Sequence, residues 1–330
     1  MKIISLFCGC GGMDLGLIKS EHKIVYANDN DKDSIDTYSN YFSKKYKTNE
    51  KHIVLGDISK IKSKLIPDAD VVVGGFPCQG FSLANIFRNQ KRSQEKNNNV
   101  LYNQMLRIIK DKKPKYFIAE NVAGILSIGG YENDFDKKKR EGKVMKKILF
   151  EMRGLGYRVV WKLLNAADYG TPQNRKRVIF LGTRKDLKNN LTHPNPTHSF
   201  EDNNLFLKKT KSLWETISDL ENNVESKNIL NHVGTKHLVK INGYIGNRLT
   251  IKNKLSPTIV GRGGGTGGPV IIPHPNKKRR LTVRETARLQ SFPDNMKFYG
   301  SISSCYRQIG NAVPWQLAYN LGKQLKKLED

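Results

Sequence analysis

Cys78 stands in a setting that suits nucleophilic chemistry. It lies within GGFPCQGFS (residues 74–82), a glycine-rich turn stiffened by Pro77 that directly follows the apolar run at residues 71–73. A thiolate can attack an electrophilic carbon, but most free cysteines are small buried hydrophobic residues. This segment alone therefore favours a packed thiol and leaves a nucleophile as the alternative.

Four other apolar runs of strand length end in charged or glycine-rich turns. The first run ends in the turn CGCGG (residues 8–12), and the other three end beside the acids Asp29, Asp57 and Glu120. The segments between the runs have helical periodicity, and strands that alternate with helices predict an α/β fold with a doubly wound, mostly parallel sheet. Ligands bind such sheets at the carboxyl ends of the strands. We therefore expect Cys78 and these turns to share one cleft.

The CGCGG turn stands between a predicted strand at residues 3–7 and a predicted helix that begins near Met13. Glycine lets the backbone approach a ligand closely, and Asp29 follows at about the distance at which an acidic residue meets ribose hydroxyls in dinucleotide-binding units. The spacing differs from G-x-G-x-x-G, so a tight turn without a ligand is the alternative.

Two basic segments lie within the first 182 residues. Arg175 and Arg177 are two residues apart at the start of a predicted strand, so both side chains are expected on one side, facing the cleft. Residues 81–99 are polar and basic without periodicity. This pattern predicts a loop that either is only solvated or closes over a substrate.

The chain changes character from Thr183 to about Lys278, where apolar runs shorten and periodicity is lost. This change predicts a second, smaller domain or a large insertion. Its glycine-rich end at residues 256–269 is either a flexible loop or a segment that packs closely on backbone or phosphate. Regular structure returns with the capping-box pattern at residues 282–285 and a last helix that starts near Pro314.

Charge and composition restrict the class of partner. The 330 residues include 57 Lys and Arg but 30 Asp and Glu, and the net charge of +27 attracts a polyanion such as nucleic acid more plausibly than a membrane. No apolar run approaches the roughly 20 residues of a membrane span, and the first residues do not resemble a signal peptide, so we expect a cytoplasmic protein. The four cysteines and seven histidines show no metal-binding spacing. We therefore predict reduced thiols and no metal site.

Seven motifs together resemble one known family. In chain order they are FCGCGGMDLG, GDIS, GGFPCQGFS, ENVAG, QNRKR, RRLTVRETARLQSFPD and QIGNAVP. This set resembles the DNA cytosine-5 methyltransferases, and the single variable region between QNRKR and RRLTVRE resembles bacterial restriction-modification enzymes that recognise one target. The resemblance implies a Rossmann-like methyltransferase fold and methylation of carbon 5 of cytosine in duplex DNA, with S-adenosylmethionine as cofactor.

The resemblance also implies a division of the chain and a set of partners. The catalytic and cofactor-binding domain is expected at 1–182, completed by 301–330, with a target-recognition domain at 183–279 and a supporting hinge segment at 280–300. Double-stranded DNA is the expected partner of a monomeric enzyme. A cognate restriction endonuclease, if the enzyme is not an orphan relative, is expected to form no stable complex with it.

By resemblance, Cys78 adds to carbon 6 of a cytosine that has been flipped out of the duplex. Glu120 holds a proton at ring nitrogen 3, and an arginine lies near the base, with Arg177 the better match and Arg175 the second. The loop at 81–99 matches the segment that closes over the base. The implied DNA-binding residues are Ser82, Arg88, Lys91, Arg92, Thr258, Arg262 and Gly264.

The cofactor pocket implied by the resemblance comprises Phe7, Gly9, Gly11, Gly12, Asp29, Asp57, Ile58, Phe76 and Asn311. Asp29 is expected at the ribose and Asp57 at the adenine amino group. The family usually has glutamate at the position of Asp29, so Asp31 is an alternative ribose ligand. Many members of the family carry an Asp-x-Arg pair shortly before the helix at Leu101, where this chain has Lys96 and Asn98. Cys8 and Cys10 are expected to take no part in the chemistry.

Two alternatives share these motifs. A tRNA cytosine-5 methyltransferase uses the same chemistry, although the variable region and the basic charge favour DNA. A DNA-binding regulator without activity would not need Cys78, Glu120, Arg175 and Arg177, which are all present. The target sequence does not follow from these residues, because base readout has no transferable code in a variable region.

Overall fold

The computed structural model describes residues 1–77, 100–201, 206–223, 228–234, 249–261, 271–276 and 279–329. Its centre is a seven-stranded sheet with the strand order β3-β2-β1-β4-β5-β7-β6. The strands are β1 (Lys2–Leu6), β2 (Lys23–Asp29), β3 (Ile53–Leu55), β4 (Val71–Gly75), β5 (Tyr116–Val122), β6 (Tyr157–Asn165) and β7 (Lys176–Arg184). All neighbouring pairs are parallel except those of β7, which runs antiparallel to β5 and β6. The expected mostly parallel sheet is therefore confirmed.

Helices cover both faces of this sheet. The helices of the described ranges are, in chain order, α1 (Gly12–Lys19), α2 (Lys32–Tyr46), α3 (Val100–Lys112), α4 (Asp134–Lys139), α5 (Lys143–Gly154), α6 (Leu213–Ile217), α7 (Val283–Leu289), α8 (Ile302–Asn311) and α9 (Trp315–Lys326). Within the described ranges, none of these helices is long and apolar enough to cross a bilayer. A short parallel pair, β8 (His198–Ser199) and β9 (Lys208–Lys209), lies outside the main sheet.

Side chains of the central strands alternate between two hydrophobic clusters. Ile3 and Val73 pack in the cluster that includes α1, α2 and α9, whereas Ile4 and Val72 pack in the cluster that includes α3 and α5. A strand buried on both faces requires apolar residues at successive positions, which is why these runs lack alternation with polar residues. The result is a three-layer α/β/α arrangement.

The C-terminal helices return to the first strand. A Cβ atom on Gly16 of α1 would lie 2.3 Å from the Trp315 carbonyl oxygen, so α1 and α9 approach closely enough to require glycine there. Thr282 and Glu285 form the expected capping box at α7. The sequence pattern predicts Pro314 in the first turn of the last helix. In the structure Pro314 is the N-cap residue of α9, one position before that turn. The domain boundaries expected from the sequence stay a prediction, because residues such as Leu213 and Ile259 pack in the same cluster as β1.

Candidate active site

A cavity of about 660 Å³ opens where β1, β2, β4 and β5 end. The strand order reverses between β1 and β4, and α/β proteins bind ligands in the crevice at such a point. Residues expected at the cofactor, the base or the turn between them line this one cavity: Phe7, Gly9, Gly12, Asp29, Asp57, Ile58, Phe76, Glu120, Arg175, Arg177 and Asn311. The sheet therefore brings together side chains that are distant in the sequence.

The glycines of the first turn serve different purposes. Gly9 has φ +53° and a Cβ there would meet nothing within 4 Å, so this position faces open space. Gly11 is not among the residues that line the cavity, because it faces α2, where its Cβ would lie 2.3 Å from the Phe42 ring. Gly12 makes room for the C-terminal segment, since a Cβ would lie 2.3 Å from the Val313 carbonyl. Only Gly9 and Gly12 of the three border the cavity.

Asp29 closes the end of β2 against this turn. Its Oδ2 accepts a hydrogen bond from the Gly9 amide at 2.8 Å, and its Oδ1 accepts one from the Asp31 amide at 2.9 Å. Burial raises the pKa of the Asp29 carboxyl, and the main-chain donors oppose that rise. Asp31 also borders the cavity, but its carboxylate caps α2 through Ser34 and pairs with Arg307 at 2.6 Å. Both carboxylates border the cavity with each oxygen already accepting a hydrogen bond or an ion pair, so the choice between Asp29 and Asp31 stays a prediction.

Asp57 and Ile58 form the wall that follows β3. The Oδ1 atom of Asp57 accepts hydrogen bonds from the amide and hydroxyl of Ser59 at 2.9 and 2.8 Å, and these bonds lower the pKa of the carboxyl. Ile58 is 2% exposed and offers an apolar surface beside this acid. A carboxylate next to an apolar side chain can accept from an amino group on a flat ring while the ring packs on the side chain.

These walls fit S-adenosylmethionine. The cavity volume lies within the several hundred Å³ typical of small-molecule sites. Two separate carboxylates, those of Asp29 and Asp57, offer acceptors for ribose hydroxyls and an adenine amino group, and their charge suits a sulfonium cation. The open space above Gly9 allows a ligand to approach the backbone closely.

Glu120 and Arg177 form a buried ion pair at the other end of the cavity. Arg177 Nε lies 2.7 Å from Glu120 Oε1, and the two side chains are 9% and 10% exposed. The pairing is diagonal across two antiparallel strands, because Glu120 of β5 lies opposite Ile179, two residues from Arg177 in β7. Burial lowers the pKa of the Arg177 guanidinium, and the Glu120 carboxylate opposes that decrease.

Gly75 makes room for the second oxygen of Glu120. It is the register partner of Glu120 in β4, and a Cβ at this position would lie 3.0 Å from Oε2. Pro77, two residues further along, also lines the cavity and directly precedes Cys78. The free side of the Glu120 carboxyl therefore lies beside the segment that leads to the predicted nucleophile.

Arg175 reaches the same cavity but is held differently. Its side chain is completely buried, and it donates to the carbonyl oxygens of Ile259 at 2.6 Å, Gly310 at 2.9 Å and Ala312 at 2.8 Å. Burial and the neighbouring Arg177 charge lower its pKa well below the usual value for arginine. Both arginines face one side of the strand, as expected, but the Arg175 guanidinium is engaged by main-chain carbonyls.

The sequence profile of the C-5 cytosine-specific DNA methylases matches residues 1–327. This chain belongs to that family. It is 35% identical to the type II methyltransferase M.NgoFVII of Neisseria gonorrhoeae over 98% of this chain and 86% of the relative. It is also 35% identical to M.FnuDI of Fusobacterium nucleatum, over 99% of this chain and 94% of the relative. The Dnmt2 methyltransferase of S. pombe shares the fold, with a TM-score of 0.68 at 17% identity over 100% of this chain and 99% of that one.

The family membership confirms the general expectations. The methylase is a C-5 cytosine-specific DNA methyltransferase, its substrate is DNA, and its methyl donor is S-adenosylmethionine. The expected Rossmann-like fold is confirmed by the sheet order and by the similarity to solved methyltransferase structures.

Several expected site residues lie outside the described part of the methylase: Cys78, Ser82, Arg88, Lys91, Arg92, Arg262 and Gly264. Thr258 is described, and its hydroxyl donates to the Asn174 carbonyl at 2.6 Å. Asn311 ends α8 beside Gly261, where a Cβ would lie 2.0 Å from the Asn311 Oδ1 atom. The expected DNA-side residue Thr258 and the expected cofactor-side residue Asn311 therefore border the same short segment.

Three polar side chains near the site were not expected from the sequence. Asn121 donates to the Phe76 carbonyl at 2.9 Å, which fixes the chain where β4 leads towards Cys78. Gln173 accepts from the Ile259 amide at 2.9 Å and donates to Gln290, whose own amide donates to the Ala312 carbonyl. Asn121 belongs to the ENVAG motif and Gln173 to the QNRKR motif. Membership of these motifs is the only local sequence signal for the two residues, because their hydrogen-bond partners are distant in sequence.

Proposed function

We propose that this methylase modifies one specific target sequence in duplex DNA through base flipping and a covalent bond between Cys78 and cytosine. The observation that carries the proposal is the position of the Glu120–Arg177 pair, which adjoins both the acid-lined cavity and the segment leading to Cys78. Names of relatives as type II methyltransferases support the role of a modification enzyme. The methylase acts as a cytoplasmic monomer and forms no stable complex with a restriction endonuclease.

Cytosine C5 is a poor nucleophile, and the first step corrects this. The Cys78 thiolate forms a bond to C6, and the C5–C6 π electrons become available at C5. Glu120 holds a proton at N3, which neutralises the charge that develops on the ring. Arg177 binds Glu120 Oε1 and so turns Oε2 towards the base.

S-adenosylmethionine supplies an electrophilic methyl group when bound. Asp29 binds the ribose, Asp57 and Ile58 bind the adenine, and Phe7, Gly9, Gly12, Phe76 and Asn311 complete the walls. Methyl transfer to C5 would break the methyl–sulfur bond of the donor and leave S-adenosylhomocysteine; loss of the C5 proton to a base or water would then restore the C5–C6 double bond and expel the Cys78 thiolate. Gly11 supports this pocket from behind, through its contact with α2.

Arg175 holds the end of the recognition region rather than the base. Its donors are directed at Ile259, Gly310 and Ala312, so it joins the segment after Thr258 to the turn that follows Asn311. Residues 183–279 supply target readout in this proposal. Thr258, with Ser82, Arg88, Lys91, Arg92, Arg262 and Gly264, contacts the DNA, for which the net charge of +27 provides long-range attraction.

The test is methylation of a plasmid by the pure enzyme, followed by bisulfite mapping of 5-methylcytosine. We expect modification at one short sequence, loss of turnover in Cys78→Ser, and normal turnover in the control Cys305→Ser. Methylation without a common sequence, or of tRNA in preference to DNA, would contradict target-specific DNA methylation.

The covalent step has its own test. DNA with 5-fluorocytosine in the mapped target should trap the enzyme, because fluorine cannot leave C5 as a cation and the Cys78–C6 bond then persists. We expect a complex stable to detergent with wild type and with Cys305→Ser, but not with Cys78→Ser. A trapped complex in Cys78→Ser would place the nucleophile elsewhere.

A further inference from the structure

Arg107 lies on α3, behind the wall formed by Asp57 and Ile58. Its Nη2 donates to the carbonyl oxygens of Ile58 at 2.9 Å and Ile61 at 3.1 Å. Its Nη1 donates to the Ser63 hydroxyl at 2.6 Å, and its Nε to Gln104 at 2.6 Å. Arg107 does not line the cavity itself. Three of these four hydrogen bonds therefore hold one segment of chain against α3, and the fourth, to Gln104, fixes the Arg107 side chain on its own helix.

The held segment combines apolar packing with local turns, because Ile58 and Ile66 are buried in the hydrophobic cluster that includes α3. Residues 56–66 leave the sheet after β3 and form two single-turn 3₁₀ helices, Ile58–Lys60 and Ser63–Leu65. Main-chain hydrogen bonds within it are local, such as Ile61 to Ile58 and Leu65 to Lys62. Apolar packing is not directional, whereas the hydrogen bonds from Arg107 to the Ile58 and Ile61 carbonyls are directional and set how this segment is oriented against α3.

Asp57 therefore lies between two anchors. On its N-terminal side, the buried Asn28 side chain donates to the carbonyl oxygens of Val54 and Gly56, both at 2.9 Å. On its C-terminal side, Arg107 holds the carbonyls of Ile58 and Ile61. The first anchor belongs to β2 of the sheet, whereas the second comes from a helix on one face of it.

We infer that Arg107 is a positioning residue for S-adenosylmethionine: it sets where Asp57 and Ile58 meet the adenine without touching the cofactor. The inference rests on the proposed assignment of Asp57 and Ile58 to adenine. A guanidinium is suited to this task because its five donors have a fixed planar arrangement, whereas an ammonium group is a compact charge at the end of a flexible chain.

The test is calorimetric binding of two ligands to the DNA-free enzyme. S-adenosylhomocysteine carries the adenine amino group, and S-inosylhomocysteine carries a ring carbonyl in its place. In Arg107→Gln we expect binding of the adenine ligand to weaken about tenfold, the effect of roughly one misplaced hydrogen bond, with a much smaller change for the inosine ligand. Arg107→Lys should give an intermediate loss, and Lys110→Ala, exposed on the same helix, should bind as wild type.

The outcomes separate the inference from the proposed function. Asp57→Ala reports the adenine site directly; if it binds both ligands as wild type does, the adenine assignment and the inference both fail. If Asp57→Ala loses its preference for adenine but both Arg107 variants keep it, only the inference fails. Equal losses for both ligands in the folded Arg107→Lys variant would mean a purely structural role and would also overturn it.

Discussion

The cofactor cavity and the junction at residues 256–261 are built in opposite ways. In the cavity, hydrogen bonding between strands fixes the backbone, and side chains such as Asp29 and Glu120 project from strand ends. At the junction, the backbone of the described residues forms an isolated bridge between Ser256 and Gln173, and buried side chains hold it: Gln173 binds the Ile259 amide, and Arg175 binds the Ile259 carbonyl. In one region the sheet positions side chains, and in the other side chains position the backbone.

This difference separates residues whose loss should affect turnover from residues whose loss should affect folding. A side chain at a strand end can change without disturbing the ladder behind it, so its loss should mainly affect turnover. A side chain that satisfies several buried carbonyls leaves them without donors when it is removed, so its loss should mainly affect folding. The two neighbours in QNRKR, Arg175 and Arg177, fall on opposite sides of this division.

The largest expected effect concerns Glu120. In Glu120→Gln the proton held at N3 is lost while the shape is retained, and turnover should fall by about 10²- to 10⁴-fold, the range for a general acid. Single-turnover methylation of the mapped target measures this, with denaturant unfolding as the stability check. Glu132→Gln, an exposed acid paired with Lys146, is the control and should keep full activity. Wild-type turnover in Glu120→Gln would remove Glu120 from the chemistry.

The next effect concerns stability at the junction. Arg175→Met removes the donors for the Ile259, Gly310 and Ala312 carbonyls, and unfolding free energy should fall by about 3–5 kcal/mol. Chemical denaturation measures it, with the exposed neighbour Lys176→Met as the matched control that should keep its stability. A fully stable Arg175→Met enzyme without turnover would restore the catalytic role that sequence resemblance gave to Arg175.

The same division explains what could be predicted from the sequence. The strands, the glycine turn and the acids at strand ends follow local patterns, and parallel strands bring their carboxyl ends to one edge whatever the connections. The partners of Gln173 and Arg175 lie 86 and 84 residues away at Ile259, so no local pattern indicates them. Gly11 is intermediate, because its motif is visible but its reason, the Phe42 ring, belongs to another helix.

Asp14 is a buried polar group near the cavity. Its contribution to stability tests whether every side chain of this region affects turnover rather than folding. Asp14 lies behind the glycine turn, accepts from Ser5 and Tyr38 at 2.7 Å each, and burial raises its pKa to about 6. Below the unfolded-state pKa of about 3.9 the carboxyl is neutral in both states; between about pH 3.9 and 6 it ionises first in the unfolded state, so the folded state loses stability, on the order of 3 kcal/mol in all once pH exceeds 6.

Unfolding free energies from pH 4 to 7 should therefore fall for wild type relative to Asp14→Asn. The exposed Asp36→Asn on α2 is the control and should follow the wild-type curve. Parallel curves for wild type and Asp14→Asn would mean that Asp14 stays ionised in the folded protein. In that case the burial of Asp14 would not make the free energy of unfolding depend on pH.

The smallest effect concerns Thr258, where the junction meets the proposed DNA side. Its hydroxyl donates to the Asn174 carbonyl at 2.6 Å, next to Arg175, so Thr258→Val should cost about 1 kcal/mol of stability, the usual value of one partly exposed hydrogen bond. Thr258→Ser keeps the donor and should restore it. If Thr258 also contacts phosphate, Thr258→Val will weaken binding of target and non-target DNA alike and reduce its salt dependence, because phosphate contacts carry no base information. A loss confined to the target sequence would instead make Thr258 part of base readout, and the junction would then contribute to specificity directly rather than by holding the backbone.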